Sequence, residues 1–132
     1  VVCDKQSPGK PMFDYAAARR RLQARQEARQ KQRLSLWQQA RDDAQRIVQL
    51  TLDHYQPRMI IQWGSVLQPE HFSEASDIDL AVAGLAFPQF MRLFGEAEEL
   101  TRFSLDLLHW EEVDPSFQKI ILAKGEVLYG ER

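Results

Sequence analysis

The sequence predicts a small α+β domain, in which a short mixed sheet is packed by helices and a long basic helix precedes the sheet. Its 132 residues, 44% of them hydrophobic, suit one folded domain. Residues 14–55 contain neither proline nor glycine and are rich in Ala, Arg, Gln and Leu, which favour helix. Beyond residue 56, short apolar runs alternate with helical segments. The predicted order is therefore helix, strand, Gly-Ser turn, strand, helix, strand, helix, strand.

Changes in composition divide the chain into three parts. Residues 1–13 are polar and include two prolines and a glycine, so we expect a disordered lead. Residues 14–55 form an N-terminal helical arm, either as one helix or as two with a break near Leu34–Ser35. The second half of the arm is predicted to pack on the core, because apolar side chains recur there at helical spacing: Leu34, Trp37, Ala40, Ala44, Ile47, Val48 and Leu52. Residues 56–132 form the core of the domain.

Residues that end helices, and alternation of polar and apolar side chains, predict the remaining elements. Strands are expected at Met59–Trp63, at Asp77–Ala83, in RFSLDLLHW and in EVLYG. Helices are expected from Pro88 to about Arg102 and from Pro115 to Lys124. Asp114 is the predicted N-cap of the second of these helices.

Charge is distributed unevenly along the chain. Residues 16–33 hold seven Lys/Arg and one Glu, or +6, whereas the rest holds 10 Lys/Arg and 18 Asp/Glu, or −8. This basic segment is predicted to be either a solvated face or a docking arm for an acidic partner or a second copy of the chain. Binding of nucleic acid ranks last, because the segment offers positive charge but no aromatic side chain for stacking on bases.

Several classes of protein are disfavoured. No apolar stretch approaches the roughly 20 residues that span a bilayer, and the first residues do not resemble a secretory signal. Cys3 is the only cysteine, which excludes an internal disulfide and a cysteine-rich metal site. We therefore expect a cytoplasmic protein.

Two aspartates interrupt a strand that otherwise reads as buried. Asp77 and Asp79 alternate with Ile78 and Leu80, so both carboxylates are expected on one face of the strand. Neighbouring carboxylates raise each other's cost of ionisation, and a cation removes that cost. Mg²⁺ prefers such oxygen ligands. Asp106 repeats the same anomaly between two leucines and is the candidate third carboxylate.

A second motif precedes these aspartates. Gly64 and Ser65 end the first strand, where backbone N–H groups and a hydroxyl can face a phosphate. Each feature has an ordinary alternative: Asp-x-Asp is often the solvated face of a sheet, and Gly-Ser is often a simple turn. Trp63 is expected to be core packing, with stacking on a base as the alternative. The order and spacing of the motifs together favour a metal–triphosphate site.

The combined motif WGS…SDIDLAV, with eleven residues between Ser65 and Asp77, resembles the minimal nucleotidyltransferases of the DNA polymerase beta-like superfamily. SLDLLHW and the closing KGEVLYG also resemble that family, and the resemblance covers roughly residues 40–130. It implies a nucleotidyltransferase fold with helices against one side of a short mixed sheet. Many such proteins are antitoxins encoded beside a HEPN-domain toxin, and some adenylylate a tyrosine of that toxin.

The resemblance also implies roles for individual residues. Asp77, Asp79 and Asp106 would be the catalytic ligands of Mg²⁺ or Mn²⁺, with Asp106 also a base toward the acceptor hydroxyl. The nucleotide, ATP, would be bound by Gly64 and Ser65, with Ser76 among the nucleotide-binding residues. The expected function is adenylyl transfer to a hydroxyl on a partner protein, by the antitoxin of a HEPN-type toxin.

One departure supports an alternative. Family members usually follow Gly-Ser with an arginine-containing stretch, but this chain has Val66, Leu67, Gln68 and Pro69. A missing guanidinium removes a planar phosphate donor that lysine does not replace well. The alternative is therefore a catalytically weak or inactive antitoxin or subunit of the same fold, which acts by binding its partner.

Overall fold

The structure, a computed structural model, describes residues 12–131. The lead predicted for residues 1–13, including Cys3, therefore lies almost wholly outside the described residues. The chain divides into two compact units, one ending at Lys31 and the other beginning at Gln32. The boundaries predicted at residues 13 and 55 are not tested by this division and remain predictions.

The elements of the described chain follow the predicted order. The helices are α1 (Tyr15–His54), α2 (Phe87–Glu98) and α3 (Pro115–Lys124), and the strands are β1 (Met59–Trp63), β2 (Asp77–Ala83), β3 (Ser104–His109) and β4 (Glu126–Gly130). Three short 3-10 turns follow β1, precede β2 and follow β3, at Gly64–Leu67, Pro69–His71 and Trp110–Glu112. The α+β fold class predicted from the sequence is confirmed.

The first unit holds the beginning of α1. Asp14 caps the helix by accepting a hydrogen bond from the Ala17 amide at 3.0 Å, which satisfies one of the amides left free at a helix start. From Arg19 to Lys31 every side chain is exposed. The basic segment thus presents its charges to solvent. None of the helices within residues 12–131 is long and apolar enough to cross a membrane.

The four strands form one mixed sheet in the order β3-β2-β1-β4. Strand β1 pairs antiparallel with β2 and with β4. Strand β2 pairs in parallel with β3, and α2 provides the crossover between these two strands. The predicted mixed sheet is therefore present, with β3 and β4 as its edges.

One face of the sheet packs on α2 and on the second half of α1. The core here contains Ile60, Ile78, Leu80, Val82 and Leu107 from the strands and Leu36, Ala40, Ala44, Ile47, Phe90, Leu93 and Ala97 from the helices. Leu34 was predicted to join this core, and that prediction was wrong, because Leu34 is 54% exposed. Leu36 is buried instead, and two residues correspond to roughly 200° around a helix.

The other face packs on α3. Its smaller core consists of Met59, Ile61, Ala81, Ala83, Trp110 and Ile121. The expectation of helices against one side only was therefore wrong: Ile121 of α3 packs on this second face. Helix α3 begins as predicted, since the Asp114 carboxylate accepts the Ser116 amide hydrogen bond at 2.8 Å.

Helix α2 ends earlier than the predicted Arg102. The Thr101 hydroxyl donates a hydrogen bond of 2.7 Å to Asp43 of α1 and accepts the Phe103 amide at 3.1 Å. These contacts hold the segment after Glu98 in a turn that leads into β3. The helix therefore does not continue to Arg102, because Thr101 is bonded to α1 and to the Phe103 amide instead.

Candidate active site

The three candidate carboxylates belong to neighbouring strands on one face of the sheet. Asp77 and Asp79 alternate with Ile78 and Leu80, which are 0% and 1% exposed on the opposite face. In the parallel β2–β3 ladder, Asp79 lies beside Asp106. The structure thus brings together the three aspartates that the sequence singles out, on the face that carries α3.

Gly64 lies against this cluster. Its φ is +82°, a conformation that L residues rarely adopt. A Cβ added at Gly64 would collide with the Asp79 carboxylate and would lie 2.9 Å from its Cγ. Glycine is required here for two reasons, the backbone angle and the close approach of the turn to the acid.

The turn after Gly64 is fixed from the opposite side by α1. The Trp37 indole N–H donates a hydrogen bond of 2.7 Å to the Val66 carbonyl, and the Val66 side chain is 4% exposed. Trp37 was predicted as core packing, and it packs against the core. Its polar role was not foreseen, because a single N–H contact 29 residues away in the chain leaves no periodic signal.

Replacing Trp37 with phenylalanine is expected to lower the stability of the protein by about 1 kcal/mol, because the Val66 carbonyl loses its partly buried donor. The measurement is the midpoint of urea unfolding, together with ATP affinity. Trp110→Phe is the matched control, since the Trp110 indole forms no hydrogen bond to residues 12–131 and lies in the second core. We expect Trp37→Phe, but not Trp110→Phe, to weaken ATP binding. Equal ATP affinities would contradict a role of Trp37 in holding the turn.

Ser76 lies directly before the first aspartate and closes the loop that precedes β2. Its hydroxyl accepts a hydrogen bond from the Ser73 amide at 3.0 Å, and its own amide donates to the Ser73 carbonyl at 3.1 Å. These bonds set where β2 begins. Its nucleotide-binding role stays a prediction, as do the roles of Gly64 and Ser65.

Electrostatic repulsion is concentrated on Asp79. Burial, reinforced by the charges of Asp106 and Asp77, raises the pKa of Asp79 to about 7. Partial burial and the charge of Asp77 also raise the pKa of Asp106. Among residues 12–131, no Lys or Arg side chain forms a salt bridge with any of the three. The cluster carries a negative charge that this part of the chain does not compensate.

This donor set fits a divalent cation by its chemistry. Carboxylates, together with water and phosphate, are the ligands that Mg²⁺ prefers, and a cation would offset the burial and the repulsion that raise the pKa of Asp79. Within the described chain, no three Asp, Glu, His or Cys side chains are arranged so that they could by themselves hold a metal ion. The aspartates alone therefore do not form a complete cage.

A cavity away from the aspartates lies where α1 meets the turn after α2. It measures about 610 Å³ and is lined by Gln39, Asp42, Asp43, Arg46, Glu99, Leu100, Thr101 and Arg102. Its polar groups pair with one another: Asp43 with Thr101 and Arg46, and Arg102 with Gln39. The cavity marks the junction of α1 with the turn after α2, and none of the candidate catalytic residues lines it.

Comparison with known proteins agrees with this geometry. The family model described as polymerase beta, nucleotidyltransferase, matches residues 45–132. The chain belongs to the polymerase beta nucleotidyltransferase family. The match includes all three aspartates, the Gly-Ser turn and every strand of the sheet. No curated protein matches the chain.

Solved structures share the nucleotidyltransferase fold. A chain from a crystal structure of a toxin–antitoxin with AMP-PNP is 22% identical, with a TM-score of 0.56 over 67% of this chain and 74% of that one. A chain from a crystal structure of the toxin–antitoxin MntA-HepT is 19% identical, with a TM-score of 0.52 over 69% of this chain and 73% of that one. At these identities the likeness concerns the fold.

Proposed function

We propose that this protein is a Mg²⁺-dependent nucleotidyltransferase that transfers an adenylyl group from ATP to a hydroxyl on a partner protein, with Mn²⁺ as a substitute metal. The observation that carries the proposal is the uncompensated cluster around Asp79, whose pKa is raised to about 7. A protein that tolerates such repulsion in its free form gains by binding a cation there. Family membership supports phosphoryl chemistry at this position.

Each residue of the cluster has a proposed role. Asp77 and Asp79 would hold the metal, and Asp106 would be a further ligand and the base that takes the proton of the acceptor hydroxyl. The raised pKa of Asp106 suits a base. The acceptor oxygen forms a bond to the α-phosphorus, the bond to the bridging oxygen breaks, and pyrophosphate leaves. The bound cation would supply charge stabilisation at the phosphates.

The Gly-Ser turn has a separate role. Gly64 lets the backbone approach Asp79, and in this proposal the amides of Gly64 and Ser65 bind phosphate oxygens of the nucleotide. Ser76 supports the nucleotide from the start of β2. The AMP-PNP in the structure of a similar toxin–antitoxin supports an adenine nucleotide as the ligand.

The proposed partner is a HEPN-domain toxin, and the proposed biological role is that of its antitoxin, acting in the cytoplasm. Support comes from the fold shared with chains of toxin–antitoxin crystal structures. The exposed basic segment of α1 is the proposed docking arm for an acidic surface of that partner or of a second copy of the chain. Its exposure from Arg19 to Lys31 is what such an arm needs.

One observation favours a second candidate function. Val66, at the position where the family usually begins its arginine-containing stretch, is buried and its carbonyl is bonded to Trp37. No phosphate donor can extend from that position. The second candidate is a protein of the same fold that has lost efficient transfer and works by binding its partner.

Labelled ATP tests the two candidates. The purified protein is incubated with ATP labelled at the α-phosphate and Mg²⁺, with and without the protein encoded beside it. The controls are removal of the metal with EDTA and an Asp77→Ala/Asp79→Ala double variant. Label on the partner, lost with EDTA and in the double variant, is the expected result. No label, with equal partner binding by both proteins, would replace the first candidate by the second.

A further inference from the structure

An aromatic side chain lies directly beside the carboxylate cluster. Trp63 is the last residue of β1 and is the partner of Asp79 in the antiparallel β1–β2 ladder. Residues directly opposite each other in such a ladder project to the same face, with Cβ atoms about 5 Å apart. Asp106, Asp79 and Trp63 therefore form a row across three strands.

Phe117 extends this row beyond the sheet. It lies in the first turn of α3, and its ring meets the Trp63 ring edge to face, with centroids 6.3 Å apart and planes at 90°. Together the two rings form an aromatic wall next to the acids. Asp79 and Trp63 lie on strands about 5 Å apart, and the Phe117 ring lies a further 6.3 Å from the Trp63 ring, so the wall and the acids extend over the length of a nucleotide's base and sugar.

The wall keeps ring surface open to solvent. Phe117 is 40% exposed and Trp63 is partly exposed, and the Trp63 indole N–H forms no hydrogen bond within residues 12–131. The other two tryptophans differ, since Trp110 is 8% exposed and Trp37 is bonded to Val66. Trp63 packs against the second core, as expected from the sequence, but remains partly exposed. A partly exposed aromatic pair beside a charged cluster has the composition of a ligand site, which is apolar with a few polar groups at one end.

We propose that Trp63 and Phe117 form the nucleobase site of this protein, against which the purine of the nucleotide stacks while its phosphates lie at the aspartates. The proposal rests on the proposed nucleotidyltransferase function and adds the element that recognises the base. The chain has no arginine directly after Gly64-Ser65. Stacking on an aromatic wall supplies affinity that does not depend on a phosphate-binding guanidinium.

The test distinguishes binding of the nucleobase from binding of the phosphates. Binding of ATP and of inorganic tripolyphosphate, each with Mg²⁺, is measured by calorimetry for wild type, Phe117→Ala and Trp63→Leu. Ile120→Ala is the matched control, because Ile120 is 51% exposed on the same helix but has no aromatic ring. We expect both aromatic variants to bind ATP about 10-fold more weakly, tripolyphosphate affinity to stay at the wild-type value, and Ile120→Ala to change neither.

Each other outcome is informative. If Phe117→Ala binds ATP as wild type does, or loses ATP and tripolyphosphate affinity equally, the aromatic wall is not a base site, and the proposed function is untouched. Because Phe117 is substantially exposed, this variant is expected to fold even where Trp63→Leu does not. If wild type binds neither ligand, the nucleotidyltransferase function fails and the base site fails with it.

Discussion

Asp79→Asn is expected to have two opposite effects: it reduces nucleotidyl transfer by about 10³-fold and makes the metal-free protein more stable above pH 7. The loss of transfer follows from the proposed role of Asp79 as a metal ligand, because metal ligation contributes several kcal/mol to transition-state stabilisation. The gain in stability follows because the amide removes a charge that is partly buried beside Asp77 and Asp106. A residue kept for stability alone would not show this pair of effects.

The pH dependence fixes the sign of the stability effect. The pKa of Asp79 is raised from 3.8 to about 7 by folding, so the folded state binds its proton more tightly than the unfolded state. The contribution of Asp79 to stability is therefore complete below about pH 4 and is lost as the pH rises through 7. Asn does not titrate, so the difference between the two proteins reports on Asp79.

Thermal unfolding in EDTA between pH 4 and pH 8.5 measures this difference. The melting temperatures of wild type and Asp79→Asn should coincide near pH 4. Above pH 7 the melting temperature of Asp79→Asn should be higher by on the order of 5 °C, the shift that about 1 kcal/mol of stability causes in a domain of this size. Added Mg²⁺ should stabilise wild type more at pH 8 than at pH 5, because the carboxylates must lose their protons to bind it. Parallel pH profiles, unmoved by Mg²⁺ in either protein, would contradict a cation site at Asp79.

Gly64→Ala is expected to produce the largest loss of stability among single substitutions near the site. Alanine at φ +82° carries backbone strain of about 1–3 kcal/mol, and its Cβ would displace the Asp79 carboxylate. We expect the melting temperature to fall by about 5–10 °C. Transfer should be lost as well, because the acid and the turn no longer fit together.

Gly95→Ala is the matched control for this substitution. Gly95 lies within α2, and a Cβ added there meets nothing within 4 Å. The same chemical change should therefore stabilise the protein by up to about 1 kcal/mol, since alanine favours helix over glycine. Opposite shifts in melting temperature for the two variants would support the role of Gly64. If both variants behave alike, the turn does not require glycine.

Strands β1 and β2 could be predicted residue by residue from the sequence. Strand β2 begins where aspartates alternate with apolar side chains, and β1 follows a proline that prevents α1 from continuing. Residues close by in the chain therefore determine the boundaries of both strands. Helix α3 could be predicted equally well, because Asp114 and Pro115 mark the start of a helix and Gly125 marks its end. These features depend on neighbours in the chain, and local chemistry decides them.

Phe117 was missed as a candidate, although its sequence position was visible. Its place in the first turn of a capped helix predicts exposure or core packing equally well, and only the packing of α3 on the carboxylate face brings it to Trp63. Leu34 shows the same limit, since several helical phases fit the apolar spacing and tertiary contacts choose the one that buries Leu36.

The sequence by itself determined the fold class, the strands and the three aspartates. The alternation of polar and apolar side chains, and the Pro, Gly and capping residues at the ends of elements, act over only a few residues. Only the tertiary structure decided that Asp106 lies beside Asp79, that Gly64 touches that acid, and that Trp37 holds the turn. Each of these contacts joins residues far apart in the chain. Strand register and helix docking, which arise from burying both faces of the sheet at once, bring them together.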